Sequence, residues 1–298
     1  MENIQKGIYI YENLIDVDDS KLPSELVVNE RISNEAILVR LLCGTLNVKY
    51  IANGEEKEMA QNINYSAPGK SNNASFSPNI FRDFFGFTKF NTSERKTIDN
   101  YIRMNRRNHF IHENLLSELT SAIIWQETSP IESFVHIYRA LEFISYTFPL
   151  IYAAKSTDYR GTYEKLKKFM SGDSSGELKF FKTFIAELFK DNILINYEFE
   201  AYFLNGCEGK VKTELQRVTE TTYYEFEGNT MKIRLINIVD LIVTLRNRYF
   251  HMLVGQGREN FYDTSYDKRD LFSALTPIFI NWLVLVYKEI VDYSVGML

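Results

Sequence analysis

The hexapeptide Arg246-Asn247-Arg248-Tyr249-Phe250-His251 gathers two permanent cations, a carboxamide and an imidazole within less than two helical turns. A guanidinium grips phosphate oxygens in a fork. An imidazole titrates near neutral pH and suits general acid–base work. Together they can bind a phosphate and move a proton. On an RNA substrate, which carries its own nucleophile in the 2′-OH, such groups would suffice to remove that proton, stabilise charge on the phosphorane and protonate the leaving 5′-oxygen, with no metal or other cofactor. Asn247 and His251 are four apart, so on a helix they share a face, and Asn247 could hold the imidazole tautomer. Arg246 and His251 are five apart and diverge by about 140° on a continuous helix at about 100° per residue. The helix must therefore break, or two copies of the motif must face each other across a dimer.

Read without chemistry, the same residues are a polar cluster that caps and packs a helix end, where a cation interacts favourably with the helix dipole. The pattern of Arg246, four intervening residues and His251, with the polar Asn247 directly after the arginine, resembles the signature of the HEPN superfamily (higher eukaryotes and prokaryotes nucleotide-binding). The resemblance covers about residues 129–295 and not the N-terminal part. It implies a four-helix bundle in which a dimer joins two motifs into one site. It further implies a metal-independent ribonuclease of a bacterial toxin–antitoxin or abortive-infection system, acting on tRNA or phage transcripts. Arg246, Asn247 and His251 are then the catalytic residues. HEPN-like bundles also serve as non-catalytic dimerisation or partner-binding modules. An antitoxin, sensor or ATPase partner fits that alternative.

The elements that must position these residues are mostly helical. Ser129-Pro130 signals a helix start, with Ser129 as cap and Pro130 in the first turn. Phe134, Tyr138, Leu141, Ile144, Phe148 and Ile151 then follow at spacings of three and four, an amphipathic stripe. Pro149 should kink that helix. Shorter helices are expected at 163–170 and 180–189. Residues 221–226 look strand-like, and Gly228-Asn229 could turn a hairpin. The motif ends a long apolar stretch, 233–245, read as one helix that Gly255-Gln256-Gly257 closes. A final helix runs over 267–295. Upstream, Thr92 or Ser93 can cap a helix, and another covers 112–126.

Residues 1–91 differ. Ile8-Tyr9-Ile10-Tyr11 reads as a strand, residues 35–50 are rich in Val, Leu and Ile, and Asn53-Gly54 supplies a hairpin turn. Residues 62–78 hold Asn, Ser, Pro and Gly in a dense cluster and read as an exposed loop. The expectation is a mainly α protein, with a small β-containing N-terminal region at 1–91 and a helical domain at 92–298.

The 298 residues are 45% hydrophobic, ample for a core, and the net charge of −5 argues against a protein that coats nucleic acid electrostatically. A local basic groove remains compatible with that charge. Two cysteines, Cys43 and Cys207, make neither a disulfide framework nor a zinc site and fit a reducing cytoplasm. The longest apolar run, 277–287, contains Asn281, is too short to span a bilayer, and reads as a buried helix.

A second copy of the pattern, Arg107-Asn108-His109-Phe110-Ile111-His112, precedes the Ser129 helix. With Arg103 and Arg106 it is either a solvated basic face or an RNA-guiding patch. Arg248 is a further RNA contact. His109, His112 and Glu113 offer a weak metal-like spacing, and no metal is expected. Arg139 and Glu142, three apart on a helix, are an ordinary surface pair or a support that orients Arg246.

Overall fold

Short alternating strands near the N-terminus and apolar stripes of period three to four elsewhere should give a small sheet on a helical body. The computed structural model describes residues 3–72, 76–170, 177–203, 224–250 and 268–296, with residues 209, 211–213 and 215 between them. The protein is mainly helical with a small N-terminal antiparallel sheet. That sheet is β1 (Asn3–Lys6), β2 (Tyr9–Asn13), β3 (Leu46–Ala52) and β4 (Glu55–Gln61), paired in sequence order. Asn53 and Gly54 turn β3 into β4 with φ of 56° and 79°, the positive values a two-residue hairpin demands.

The aliphatic run at 35–50 divides into a helix, α1 (Asn34–Leu42), and strand β3. Ser33 caps α1 by accepting from the Ala36 amide at 3.2 Å. Arg40 of α1 is fully buried and hydrogen-bonds Leu26 O, Thr45 O, Thr45 Oγ1 and Asn13 Oδ1 at 2.7–3.0 Å. It staples α1 to both neighbouring strands.

Helices follow as α2 (Asn79–Phe84), α3 (Thr92–Asn105), α4 (His109–Trp125), α5 (Pro130–Lys155), α6 (Tyr159–Met170) and α7 (Glu177–Leu188). Asn91, not Thr92 or Ser93, caps α3; its side chain accepts from the Ser93 amide while Glu94 accepts from the Asn91 amide. The reciprocal pair fixes the start one residue earlier than the hydroxyls suggest. Ser129 stands at the cap of α5 but its side chain makes no capping bond, and the helix continues through Pro149 to Lys155.

A second sheet pairs β7 (Glu198–Tyr202), β9 (Thr230–Arg234) and β8 (Tyr224–Glu227), with β9 in the middle. The 233–245 stretch is thus not one helix. It begins in β9, passes a 3₁₀ turn at Leu235–Asn237 and becomes α8 (Ile238–Tyr249). Pairing to β7 and β8 satisfies the backbone there and delays the helix. The last helix is α9 (Lys268–Gly296).

α9 is buried on nearly every side between α5 and its neighbours, with Trp282, Leu283 and Phe279 at zero exposure. It is long and apolar enough to cross a membrane by length and composition, yet 78% of its most apolar window is buried within the protein. Its one central amide, Asn281, donates to Tyr65 O and Ala67 O at 2.6 and 2.9 Å and accepts from the Gly69 amide. The loop after β4 is therefore not simply exposed: Tyr65 is fully buried and Ser66 nearly so. One short pairing, β5 (Ile63–Asn64) with β6 (Ser71–Asn72), shapes it.

The N-terminal sheet rests on α4 through hydroxyl pairs, Tyr9 with Ser121 at 2.7 Å and Tyr11 with Thr120 at 2.8 Å. One hydrophobic cluster runs from Tyr9 to Val295, so sheet and helices share a core across the α3 cap at Asn91.

Candidate active site

The hexapeptide is delivered by α8. The Leu235 amide donates to Tyr197 O at 2.9 Å, and the buried Trp282 indole donates to Leu235 O at 2.9 Å, so the residue that leads into β7 and α9 together fix where the helix begins. Ile238, Val239, Leu241, Ile242 and Leu245 then bury one face, at the spacing an amphipathic helix needs. Lys182 of α7 pairs with Asp240 in the first turn, where a carboxylate also suits the helix dipole. The helix closes when the Phe250 amide donates to Arg246 O at 2.9 Å.

The Arg246 guanidinium lies 4.7 Å from the centre of the Tyr138 ring on α5. Its Nη1 donates to Asn247 Oδ1 at 3.1 Å. One turn on, Phe250 stacks on Phe134 at 5.6 Å and meets Phe272 of α9 edge-on at 6.1 Å. Residues 246 and 250 thus face 138 and 134, and the end of α8 runs antiparallel to the stripe of α5. Arg246 is half-buried and Asn247 exposed. A guanidinium over an aromatic face keeps its N–H edge available for a planar oxyanion while the ring restrains its orientation.

His251 lies outside the described residues, as do Cys207 and the Gly255-Gln256-Gly257 segment. α8 is described to Tyr249, with Phe250 closing its last turn. Asn247 turns its carbonyl oxygen to Arg246.

The remaining sequence-derived residues fall in three places. Arg248 shares the last turn of α8 with Arg246. Arg103 and Arg106 both reach Glu25, at 3.4 and 2.6 Å, which offsets the charge of that basic face. Arg107 is exposed beside them, at the junction of α3 and α4. Arg139 pairs not with Glu142 but with Glu118 of α4, at 2.9 Å. Inter-helix packing puts a nearly buried carboxylate closer than the residue one turn along.

Two features escaped the sequence. Tyr138 was legible only as a member of an apolar stripe, although a tyrosine among Phe, Leu and Ile is a signal that the stripe has a polar-facing edge. Lys268, at the start of α9, sets its ammonium 5.2 Å from the Tyr249 ring, so a third cation joins Arg246 and Arg248 around the end of α8. A separate network lies on α4 and α5: Glu118 accepts from Arg139 and lies 2.8 Å from His136 Nδ1. Beside it, burial pushes the Tyr9 phenol up, partly offset by its bond to Ser121, and the nearby Glu118 and Glu132 charges push the same way.

Among the described residues no three His, Cys, Asp or Glu side chains converge as metal ligands. His112 lies 3.4 Å from Glu35, while Glu113 is exposed. Comparison with protein-family models, curated proteins and solved structures returns no match.

Proposed function

We propose that this protein is a metal-independent endoribonuclease of a toxin or anti-phage (abortive infection) system, built on a HEPN-like four-helix bundle of α5, α7, α8 and α9. The observation that carries the reading is Arg246, its guanidinium held over Tyr138 at the end of α8. Arg248, about 200° further around the helix, and Lys268, over Tyr249, add cations to the same helix end on a chain of net charge −5. Arg246 would grip the scissile phosphate and stabilise the phosphorane. His251 would take the 2′-OH proton as the 2′-oxygen–phosphorus bond forms. A second motif, from a dimer partner, would protonate the 5′-oxygen as its bond to phosphorus breaks. The products are a 2′,3′-cyclic phosphate and a 5′-hydroxyl.

Incubation with total RNA in the presence of chelator tests the chemistry, and light scattering tests the assembly. The expected result is cleavage by a dimer, abolished in His251→Ala, because general acid–base groups contribute about 10²–10⁴-fold, and weakened in both binding and rate in Arg246→Ala. Normal cleavage by His251→Ala would overturn the reading.

A non-catalytic dimerisation or partner-binding module is the second reading. It is favoured by Glu25, which neutralises Arg103 and Arg106 where an RNA path would need them uncovered. Inert RNA together with a co-purifying antitoxin, sensor or ATPase partner would select it.

A further inference from the structure

Helix α5 has a core face and a face that nothing in the chain covers. Ile137, Leu141 and Ile144 are buried on the first. On the opposite face Tyr146 and Leu150 are 49% and 58% exposed, and Val135 and Ile131 are partly exposed. Two charges stand among these apolar groups. Arg139 keeps 56% of its side chain in solvent although Glu118 pins it at 2.9 Å. Glu142, nearly one turn on, has no cation partner among the described residues. Tyr138, with the Arg246 guanidinium over its ring, borders the same face on one flank.

We propose that a second copy of the chain covers this face, α5 against α5 in antiparallel register about a two-fold axis, and that this interface brings the partner motif to the α8 site, a consequence that rests on the ribonuclease reading. In a two-fold interface every contact occurs twice, so the face must complement itself. It does so in one antiparallel register. Setting Arg139 opposite Glu142 of the second copy also sets Val135 opposite Tyr146 and Ile131 opposite Leu150, because all three pairs share one midpoint, between residues 140 and 141. Apolar groups then meet apolar groups wherever cation meets carboxylate. A parallel pairing would instead set Arg139 against Arg139 and Glu142 against Glu142. An exposed ion pair adds little affinity, so the charges select the register and the apolar contacts supply the attraction.

The geometry joins this face to the α8 site. The two-fold of an antiparallel pair stands perpendicular to the plane of the two helices, so the same flank of each α5 lies on the same side. Both Arg246–Tyr138 pairs therefore share one face of the dimer, offset by about 7–8 Å along the seam and separated across it by one helix spacing, about 8–10 Å. At that separation both motifs can reach one RNA strand.

Sedimentation velocity on the full chain without RNA, together with disulfide trapping, tests this. The wild type sediments as a dimer. The double variant Val135→Cys/Tyr146→Cys is trapped by mild oxidation as a covalent dimer. Its two positions lie about 16 Å apart along one helix, beyond the Cα separation of about 4.4–6.8 Å that a disulfide spans, so the bond forms only between copies. Each single-cysteine variant stays untrapped. Glu142→Arg and Leu150→Glu each weaken dimerisation at least ten-fold, whereas Ile15→Glu, an exposed change outside α5, leaves it intact. The proposal is overturned by a monomer at submillimolar concentration, by a dimer indifferent to both Glu142→Arg and Leu150→Glu, or by a double variant trapped no more readily than the single ones. None of these measurements involves cleavage. A dimer through this face that leaves RNA intact keeps the interface and counts against the ribonuclease. Cleavage by a dimer that ignores Glu142→Arg and Leu150→Glu keeps the ribonuclease and overturns the interface.

Discussion

Arg246 and Tyr138, on helices that are far apart in sequence, meet with the guanidinium 4.7 Å from the ring centre. The contact restrains the one residue of the hexapeptide best suited to hold a phosphate. A partly exposed cation–π contact is worth about 0.5–2 kcal/mol, so on the proposed ribonuclease reading Tyr138→Leu should lower kcat/KM for RNA by about 2- to 30-fold. Tyr138→Phe keeps the aromatic face and should retain most activity. Steady-state cleavage of a defined oligonucleotide reads both. Equal loss in the two variants would assign the effect to the phenol hydroxyl instead.

Arg40 should be indispensable to folding. Burial lowers its guanidinium to about 10, still charged at neutral pH, and its hydrogen-bond partners are all neutral. Its nearest carboxylate, Asp19, reaches it only through Asn13, which donates to both Asp19 oxygens at 2.9 and 3.0 Å. Arg40→Met orphans the Leu26 carbonyl, leaves Thr45 O with only the long bond from the Leu14 amide, at 3.4 Å, and should cost about 3–5 kcal/mol. Urea unfolding measures it. A loss below about 1 kcal/mol would mean water replaces the guanidinium.

Two acids on α9 give the protein a pH signature. Burial raises the carboxyls of Glu289 and Asp292, opposed for Glu289 by the Asn192 amide and for Asp292 by Lys288. A native carboxyl with a raised pKa holds its proton after the unfolded chain has released it. The native state then binds more protons, and the contribution to stability falls as pH rises from about 4 through the raised native value. Glu289→Gln and Asp292→Asn should therefore unfold at higher temperature than wild type near neutral pH, with the advantage shrinking towards pH 4. A constant difference at all pH values would contradict this origin.

Gly44 follows α1 with φ of 67°, and a Cβ there would come within 2.6 Å of the Ile63 backbone. Gly44→Ala combines left-handed strain with a backbone clash that no side-chain rotation relieves. A fall in melting temperature of several degrees is expected by calorimetry, since about 1 kcal/mol shifts Tm by about 2–4 °C at 150–250 residues. An unchanged melting temperature would show that the loop after β4 moves aside freely.

How far the sequence could be read depended on the range of the interaction. The Asn53-Gly54 hairpin and the α9 span were legible because turn chemistry and helical periodicity are local. The start of α8 was not. An apolar stretch looks the same whether its backbone is satisfied by its own helix or by β7 and β8, and only the partner strands decide. Arg139 misled for the same reason: Glu142 is close in sequence, whereas Glu118 is close across the helix pair. Arg246 could be named from its neighbours in the chain, but Tyr138 beneath it and Lys268 over Tyr249 come from helices the hexapeptide does not reveal.

The Asn281 amide holds loop carbonyls from which it is separated by 216 and 214 residues. Loop closure over such a span is entropically costly and is made late in folding. During synthesis the strands, α1 and the hairpin α4–α5 leave the ribosome long before the helix that fills the space between them. Until α9 arrives, the Tyr65 and Ala67 carbonyls lack their amide donor and the face of α5 that it covers lacks its partner, and α9 itself emerges as an apolar segment with one unsatisfied amide. The nascent chain is therefore a natural client for chaperones, and its yield should depend more on the rate at which α9 docks than on the strength of any single contact afterwards.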